Sequence, residues 1–361
     1  MIQNNIFFPN VYPQYTQEYR AYTIERSLGR GSFGKVGLAR LKTEEGIKEF
    51  AIKFSHVDFD GSLTNDCYEA SIREEHFIRK LDYDHQENKG LIVKLHKGFN
   101  VYLSDNSADE CPTTIQRWSV YERLNGTLHD LIYSCSGKFS LDRVRHFTIQ
   151  LSSVLKWLGV NKIVHGDITP SNIGIRKLGK SIDICLIDFG FAFSTDEPPP
   201  NDQLLTTAYY RAPEIPLWTV LSSKESDCEQ FKEAHKQFMT QAIDIWSVSC
   251  IVGGELYLGK RLISISNHHS LVDEQKELVN EQKELCQKIS RLVGDFPEKI
   301  WKQSYLRMKE GMVRRPTNPK PQLPLKLLER AGKRCRLIET FIQQGLKIDP
   351  EERLKALLLS E

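Results

Sequence analysis

The sequence predicts an α+β fold in which a small antiparallel β lobe with one helix precedes a larger, mainly helical lobe. Three observations lead there. From Tyr22 to about Tyr121, apolar residues alternate in short runs, the period-two pattern of half-buried strands. One stretch near residues 66–81 breaks that alternation, with Ala70, Phe77, Ile78 and Leu81 on neighbouring helical turns. After Arg123 the spacing turns mostly helical, as in Leu141–Leu158 and Ala242–Tyr257, and strands followed by helices segregate into separate layers.

Residues 1–21, rich in aromatics, Asn, Gln and Pro, read as an irregular leader; 22–122 form the first lobe and 123–361 the second. At 361 residues, 40% apolar and 27% charged, the chain suits one large domain or two lobes around a cleft. A net charge of +2 and a pI near 8.0 are too mild to argue for nucleic acid or an anionic membrane as partner. No segment approaches the roughly 18–20 consecutive apolar residues of a membrane span. The N-terminus lacks the basic-then-apolar pattern of a signal peptide, and Gly does not follow Met1, which argues against myristoylation. Eight cysteines (67, 111, 135, 185, 228, 250, 286 and 335) are scattered without a Cys-x-x-Cys pair. Free thiols in a reducing compartment are therefore expected, and an intracellular location with them, in cytoplasm, nucleus or both. Glu274-Gln-Lys-Glu-Leu278 recurs as Glu281-Gln-Lys-Glu-Leu285. Two heptads are too few for a coiled coil, so an exposed amphipathic helix is expected, with partner binding as its sharper alternative.

Four short segments carry chemistry. In Leu28-Gly-Arg-Gly-Ser-Phe-Gly-Lys-Val36, the glycines Gly29, Gly31 and Gly34 lack side chains that would hold a phosphate away from backbone N–H groups. Alternation through Val36, Leu38 and Leu41 makes the context strand–turn–strand, a flap over ATP, rather than the strand-to-helix turn of a dinucleotide fold. Phe50-Ala-Ile-Lys53 ends an apolar strand on a lysine that can neutralise α- and β-phosphate oxygens. A desolvated lysine needs a counter-charge, for which Glu74 is the choice and Glu75 the neighbouring alternative. In Ile163-Val-His-Gly-Asp167-Ile-Thr-Pro-Ser-Asn172, Asp167 is placed to orient an acceptor hydroxyl and take its proton, and Asn172 to coordinate magnesium. Asp188 of Leu186-Ile-Asp-Phe-Gly190 stands at a strand end before a flexible Gly and suits a ligand for the magnesium that bridges the β- and γ-phosphates. Further on lie Ala212-Pro-Glu214, Asp244-Ile-Trp-Ser247 and Asp349-Pro-Glu-Glu-Arg353.

In that order and spacing these motifs resemble those of the eukaryotic protein kinases, from about Tyr22 to Leu359. The resemblance implies a two-lobed fold with ATP and Mg2+ in the cleft, and proteins as substrates. It puts Tyr121 at the hinge entrance, gives adenine the backbone groups of Glu122 and Leu124, and covers the ring with Leu28, Val36 and Ala51; Ser32 belongs to the phosphate flap. His165, Phe189, Ile78 and Leu95 match the apolar stack of active kinases, and Glu214 with Arg353 a buried ion pair. Thr207-Ala-Tyr-Tyr-Arg-Ala-Pro-Glu214 is similar to the group of cyclin-dependent, MAP, Clk-like and DYRK-like kinases, the CMGC group. Leu292, Gly294, Pro297 and Trp301 within 262–301 match that group's helical insert, and Arg211 the position linked to accepting proline after the phosphorylated residue.

Four residues depart from the pattern, of which Ser249, in place of a common glycine, carries no functional reading. Gly166 replaces the arginine that grips an activation-loop phosphate, which predicts that loop phosphorylation is not the main switch. Activity retained in a Thr206→Ala, Thr207→Ala protein would agree. Thr169 replaces a lysine that contacts the γ-phosphate, leaving dual specificity open beside serine/threonine. Gly174 stands where a large apolar residue usually lies beneath adenine, a loss of about 1–2 kcal/mol of nucleotide contact. Between Glu214 and Asp244 the chain is longer than its relatives by more than a dozen residues, and Phe231, Ala234, Phe238 and Met239 fall on one helical face. That face either packs on the lobe or docks a regulatory partner, as could the 262–301 insert. The rival to an enzyme is a pseudokinase, a nucleotide-binding scaffold. Lys53, Glu74, Asp167, Asn172 and Asp188 together favour the enzyme.

Overall fold

The alternating first third folds into five antiparallel strands ordered β1-β2-β3-β5-β4: β1 (Tyr22–Gly31), β2 (Gly34–Thr43), β3 (Gly46–Ser55), β4 (Leu95–Leu103) and β5 (Thr114–Glu122). The structure, a computed structural model, describes residues 18–31, 34–55, 65–82, 90–103, 114–179, 181–197, 206–218, 238–265, 274–303, 320–328 and 335–356. Successive side chains of a strand point to opposite faces. In β3 this sends Ile52 and Phe54 to one face, where Tyr22, Ile24, Ala39, Phe99, Val101, Trp118 and Val120 complete a buried cluster. The same period sends Ala51 and Lys53 to the other face, opposite Tyr121 and Ser119 of β5. Helix α1 (Asn65–Asp82), predicted from its spacing, buries Ala70, Phe77, Ile78 and Leu81. A short 3-10 turn, Glu18–Ala21, leads into β1.

The chain divides into two compact units. The first holds Met1–Asn125 together with Ile187–Phe191, and the second holds Gly126–Leu186 and Ala192–Glu361. The second unit is built on helices. α2 (Leu128–Ser134) starts at a capping box in which Thr127 and Asp130 satisfy each other's backbone donors, and α3 (Leu141–Val160) is capped by Ser140. Two small antiparallel pairs follow: β6 (Ile163–Val164) with β9 (Phe193–Ser194), and β7 (Ile173–Leu178) with β8 (Ser181–Leu186). α4 (Glu214–Trp218) precedes α5 (Ala242–Ile251), which runs on as a π-helical segment, Val252–Leu258. Every residue of α5 is buried, Asp244, Ser247 and Ser249 included.

The repeated heptads lie in α6 (Glu274–Val293). There Leu285, Ile289 and Leu292 are buried while Asn280, Gln287 and Arg291 are exposed, so the helix is amphipathic as expected. α7 (Glu298–Gln303), α8 (Leu323–Leu328), α9 (Arg336–Gly345) and α10 (Pro350–Leu354) complete the unit. Phe238 and Met239 are buried, whereas Phe231 and Ala234 lie outside the described residues. So do residues 1–17, Cys111 and Cys228. The six described cysteines are free thiols. No described helix is long and apolar enough to cross a membrane.

Candidate functional site

The glycine motif forms the strand–turn–strand hairpin that its alternation predicts. Gly29 and Gly31 close β1, Gly34 opens β2, Gly29 faces Val36 and Gly31 faces Gly34. Ser32, at the turn, lies outside the described residues. The glycines are not equivalent. A Cβ on Gly29 would meet nothing within 4 Å, whereas one on Gly34 would overlap the carbonyl oxygen of Phe54. Gly34 is thus demanded by the close approach of β2 and β3, while Gly29 leaves open space. Leu28 is exposed, and Val36, Ala51 and Leu124 are half-buried.

Lys53 is the centre of charge in the first unit. Its ammonium donates to Glu74 Oε2 and to Asp188 Oδ1, each at 2.7 Å. Burial opposes the charge on Lys53, but the carboxylates of Asp188 and Glu74 outweigh it and hold its pKa above the usual lysine value. Burial pushes the Glu74 carboxyl up, with Lys53 working the other way. The choice between two adjacent glutamates is thereby settled. Glu75 turns instead to Arg117, which grips it through Nε at 2.8 Å and Nη2 at 2.7 Å, and accepts from Ser119 Oγ at 2.6 Å. Gly98 makes room for that carboxylate, since a Cβ there would overlap its oxygens. Tyr121 is buried, and burial raises its phenol well above its ordinary pKa, so it stays protonated. Glu122 donates its N–H to Lys94 O at 3.0 Å and accepts Lys94 N–H on its carboxylate at 2.7 Å.

Asp188 adopts a left-handed backbone (φ 63°), and its Oδ1 accepts the Gly190 N–H at 3.4 Å. Arg73, one residue before Glu74 on α1, donates Nη1 to Gly190 O at 3.0 Å. Helix α1 thus holds residues 188–190 directly through Arg73, and indirectly through Glu74 and Lys53.

In the second unit, a 3-10 turn over Pro170–Asn172 brings Asn172 back onto Asp167. Asn172 Nδ2 donates to both Asp167 O and Asp167 Oδ2, each at 2.9 Å, which orients the amide so that Oδ1 is the group left to ligate a cation. Asp167 Oδ1 accepts from Thr207 N at 2.9 Å and Thr207 Oγ1 at 3.1 Å. The backbone before Asp167 is fixed from below: His165 N and Gly166 N donate to Asp244 at 2.7 and 3.0 Å. Burial pushes the Asp244 carboxyl up to about 7 despite those two donors. Gly166 has φ 78°, a conformation that glycine adopts without steric cost. The residue departing most from the family pattern therefore fits its backbone well. Gly174 is buried on β7, bridging Thr127.

Thr206 also has a left-handed backbone (φ 62°), and its carbonyl accepts from Arg211 Nε at 3.2 Å and Nη2 at 3.0 Å. Because Thr206 is buried and the Thr207 hydroxyl is engaged with Asp167, the double alanine protein would damage Asp167's setting directly. Phosphatase treatment is the cleaner test of loop phosphorylation. Thr207, Arg73, Arg117 and Glu281 are site-building residues that sequence reasoning did not single out for these contacts.

Among the described residues no cluster of three or more His, Cys, Asp or Glu side chains could hold a metal by itself. Asp188, in the first unit, is a carboxylate, and Asn172, in the second, carries an amide oxygen; each by itself is a hard oxygen donor. That donor chemistry suits Mg2+, which is bound by one or two carboxylate-type ligands with substrate phosphates and water supplying the rest. The exposed Leu28, open Gly29 and buried ammonium of Lys53 fit a nucleoside triphosphate.

A protein kinase domain model matches residues 22–359. The chain is 29% identical over 245 residues to mitogen-activated protein kinase 6 of Oryza sativa subsp. japonica, covering 68% of this chain and 55% of that protein. It is 29% identical over 248 residues to the mitogen-activated protein kinase homolog MMK2 of Medicago sativa, covering 68% and 56%. With mitogen-activated protein kinase 4 of Arabidopsis thaliana it shares 30% identity over 248 residues, covering 68% and 55%. The chain spans about half the length of the curated relatives it matches.

Proposed function

The chain belongs to the protein kinase domain family, and from that premise we propose that it transfers the γ-phosphoryl group of ATP to serine and threonine hydroxyls of proteins. The observation that carries this reading is Lys53, buried and held at 2.7 Å by both Glu74 and Asp188. A lysine so placed is charged, immobile and ready to neutralise α- and β-phosphate oxygens, a stabilisation preorganised rather than assembled during reaction. ATP, bound with Mg2+, would supply the phosphoryl group and the neutralisation of its developing charge. Asp188 would hold magnesium, and Asn172 would offer its Oδ1 to a magnesium ion. Asp167, oriented by Asn172 and Thr207, accepts the proton of the incoming hydroxyl. Leu28, Val36 and Ala51 contact the base, with Glu122 and Leu124 supplying backbone groups.

The acceptors we propose are serine or threonine followed by proline. Arg211 occupies the Thr206 carbonyl with two donors, so that oxygen is taken from the amide of a substrate residue after the acceptor. Any residue but proline then leaves an unpaired N–H, which costs about 1–3 kcal/mol when buried. Proline has no N–H to lose.

Transfer of radiolabelled γ-phosphate from Mg-ATP to a generic basic protein, compared between wild type and Asp188→Asn, tests the reading. Label that requires Asp188 and appears on phosphoserine or phosphothreonine is expected. No label across a broad acceptor panel, with ATP still bound, would make the chain a nucleotide-binding scaffold instead.

A further inference from the structure

We infer that Glu281, on helix α6, is a positioning residue for proline selectivity: it fixes the guanidinium of Arg211 against the Thr206 carbonyl. The inference rests on the proline-directed reading above. Arg211 Nη1 donates to Glu281 Oε1 at 2.8 Å while its Nε and Nη2 hold Thr206 O. A guanidinium is a rigid planar fork, so pinning one nitrogen sets the direction of the others. The Arg211 side chain is only 8% exposed. Burial works against its charge, and the Glu281 carboxylate is the largest influence restoring it. Asp167 adds a smaller influence of the same sign, while Glu255 is committed elsewhere: it accepts from Tyr210 Oη at 2.6 Å and lies 3.8 Å from Arg261, whose guanidinium stacks on Tyr209.

Thr206 is β-branched and left-handed, a combination that persists only under external constraint. Without Glu281, Arg211 is free to withdraw and the Thr206 peptide to turn. Its carbonyl then becomes an acceptor for the substrate amide, and selection against residues with an N–H disappears. The next residue, Thr207, is held separately on Asp167, so transfer itself survives. Glu281 lies 70 residues from Arg211 in sequence, so the helix of the repeated heptads contributes to choosing substrates.

The test compares kcat/KM for three peptides identical except after the acceptor serine, where they carry proline, alanine or N-methylalanine. N-methylalanine lacks the N–H but not the open chain, and so separates the missing donor from ring packing. Wild type is expected to prefer proline and N-methylalanine over alanine. Glu281→Ala is expected to reduce both preferences about tenfold, the scale of one charge-assisted hydrogen bond, mainly by raising the alanine peptide. Glu281→Gln, which keeps an acceptor at the same reach, is expected to restore part of the preference. Glu281 is one-third exposed, and a thermal midpoint unchanged between variants excludes misfolding. Preferences unchanged in Glu281→Ala would overturn the role of Glu281 alone. A wild type that labels peptides but has no preference would overturn the proline reading together with it.

Discussion

Replacing Arg353 with methionine removes the most completely buried cation among the described residues. Arg353 is 0% and Glu214 1% exposed, and the two form a bidentate pair at 2.6 and 3.0 Å. The same guanidinium donates to the carbonyls of Ala242 at 2.7 Å, Lys347 at 2.9 Å and Ile348 at 3.0 Å. It also stacks 5.2 Å from the Trp246 ring. One side chain thus ties α4, α5 and the turn before α10. Methionine would strand the Glu214 carboxylate in a dry interior, a cost of about 3–5 kcal/mol for a buried pair broken on one side. For a unit of this size that corresponds to a fall in melting temperature of roughly 6–20 °C. Urea unfolding followed by tryptophan fluorescence measures it, with Trp246 as an internal reporter. The double replacement Glu214→Leu, Arg353→Met should recover much of the loss, because no charge remains stranded. A single variant weaker by less than about 1 kcal/mol, or a double variant no better than the single, would refute the reasoning.

Lys53→Met should lower phosphoryl transfer by about 10²–10³-fold, the scale of one preorganised charge; a radiolabel assay showing less than a tenfold loss would contradict the role. Thr207→Val removes the hydroxyl from Asp167 but keeps the N–H bond, so kcat should fall about tenfold with ATP affinity unchanged, while Thr207→Ser should restore it. Asp244 contributes to the pH dependence of stability. Its carboxyl titrates near 7 when folded, above its ordinary value of 3.8, so between those values the folded state binds the extra proton. Its contribution therefore makes stability fall as pH rises through that window, by up to about 1.4 kcal/mol per pH unit. In Asp244→Asn, urea midpoints measured from pH 4 to 7 should lose that slope.

The fold class was legible because periodicity reports local geometry. Alternation through Val36 and Leu41 specified strands, and the spacing of Ala70, Phe77 and Leu81 specified a helix. Lys53, Asp167, Asn172 and Asp188 were legible because each sits in a short motif at a strand end or turn. Between Glu74 and Glu75 the sequence could only prefer one. What decides is a register, Lys53 opposite Ser119, and a gap at Gly98 that admits the second carboxylate. Thr207 with Asp167, Arg73 with Gly190 and Arg211 with Glu281 join residues 40, 117 and 70 positions apart. Such pairs leave no periodic trace, because chain topology rather than spacing brings them together. At Gly34 the structure adds a reason for glycine that the motif does not show: the carbonyl of Phe54 leaves no space for a side chain there.

Three consecutive residues of α1 grip three different parts of the first unit. Arg73 reaches Gly190, Glu74 reaches Lys53 on β3, and Glu75 reaches Arg117 and Ser119 on β5. Neighbours on an α-helix project about 100° apart, so these grips act around the helix like spokes. A helix held by one spoke can roll about its own axis; one held by three in different directions cannot. Rolling α1 to disengage Glu74 would also pull Glu75 out of its cage of Arg117 and Ser119. Losing the first pair by rolling would thus mean losing the second as well. The lysine–glutamate pair and the cage around Glu75 therefore stand or fall together.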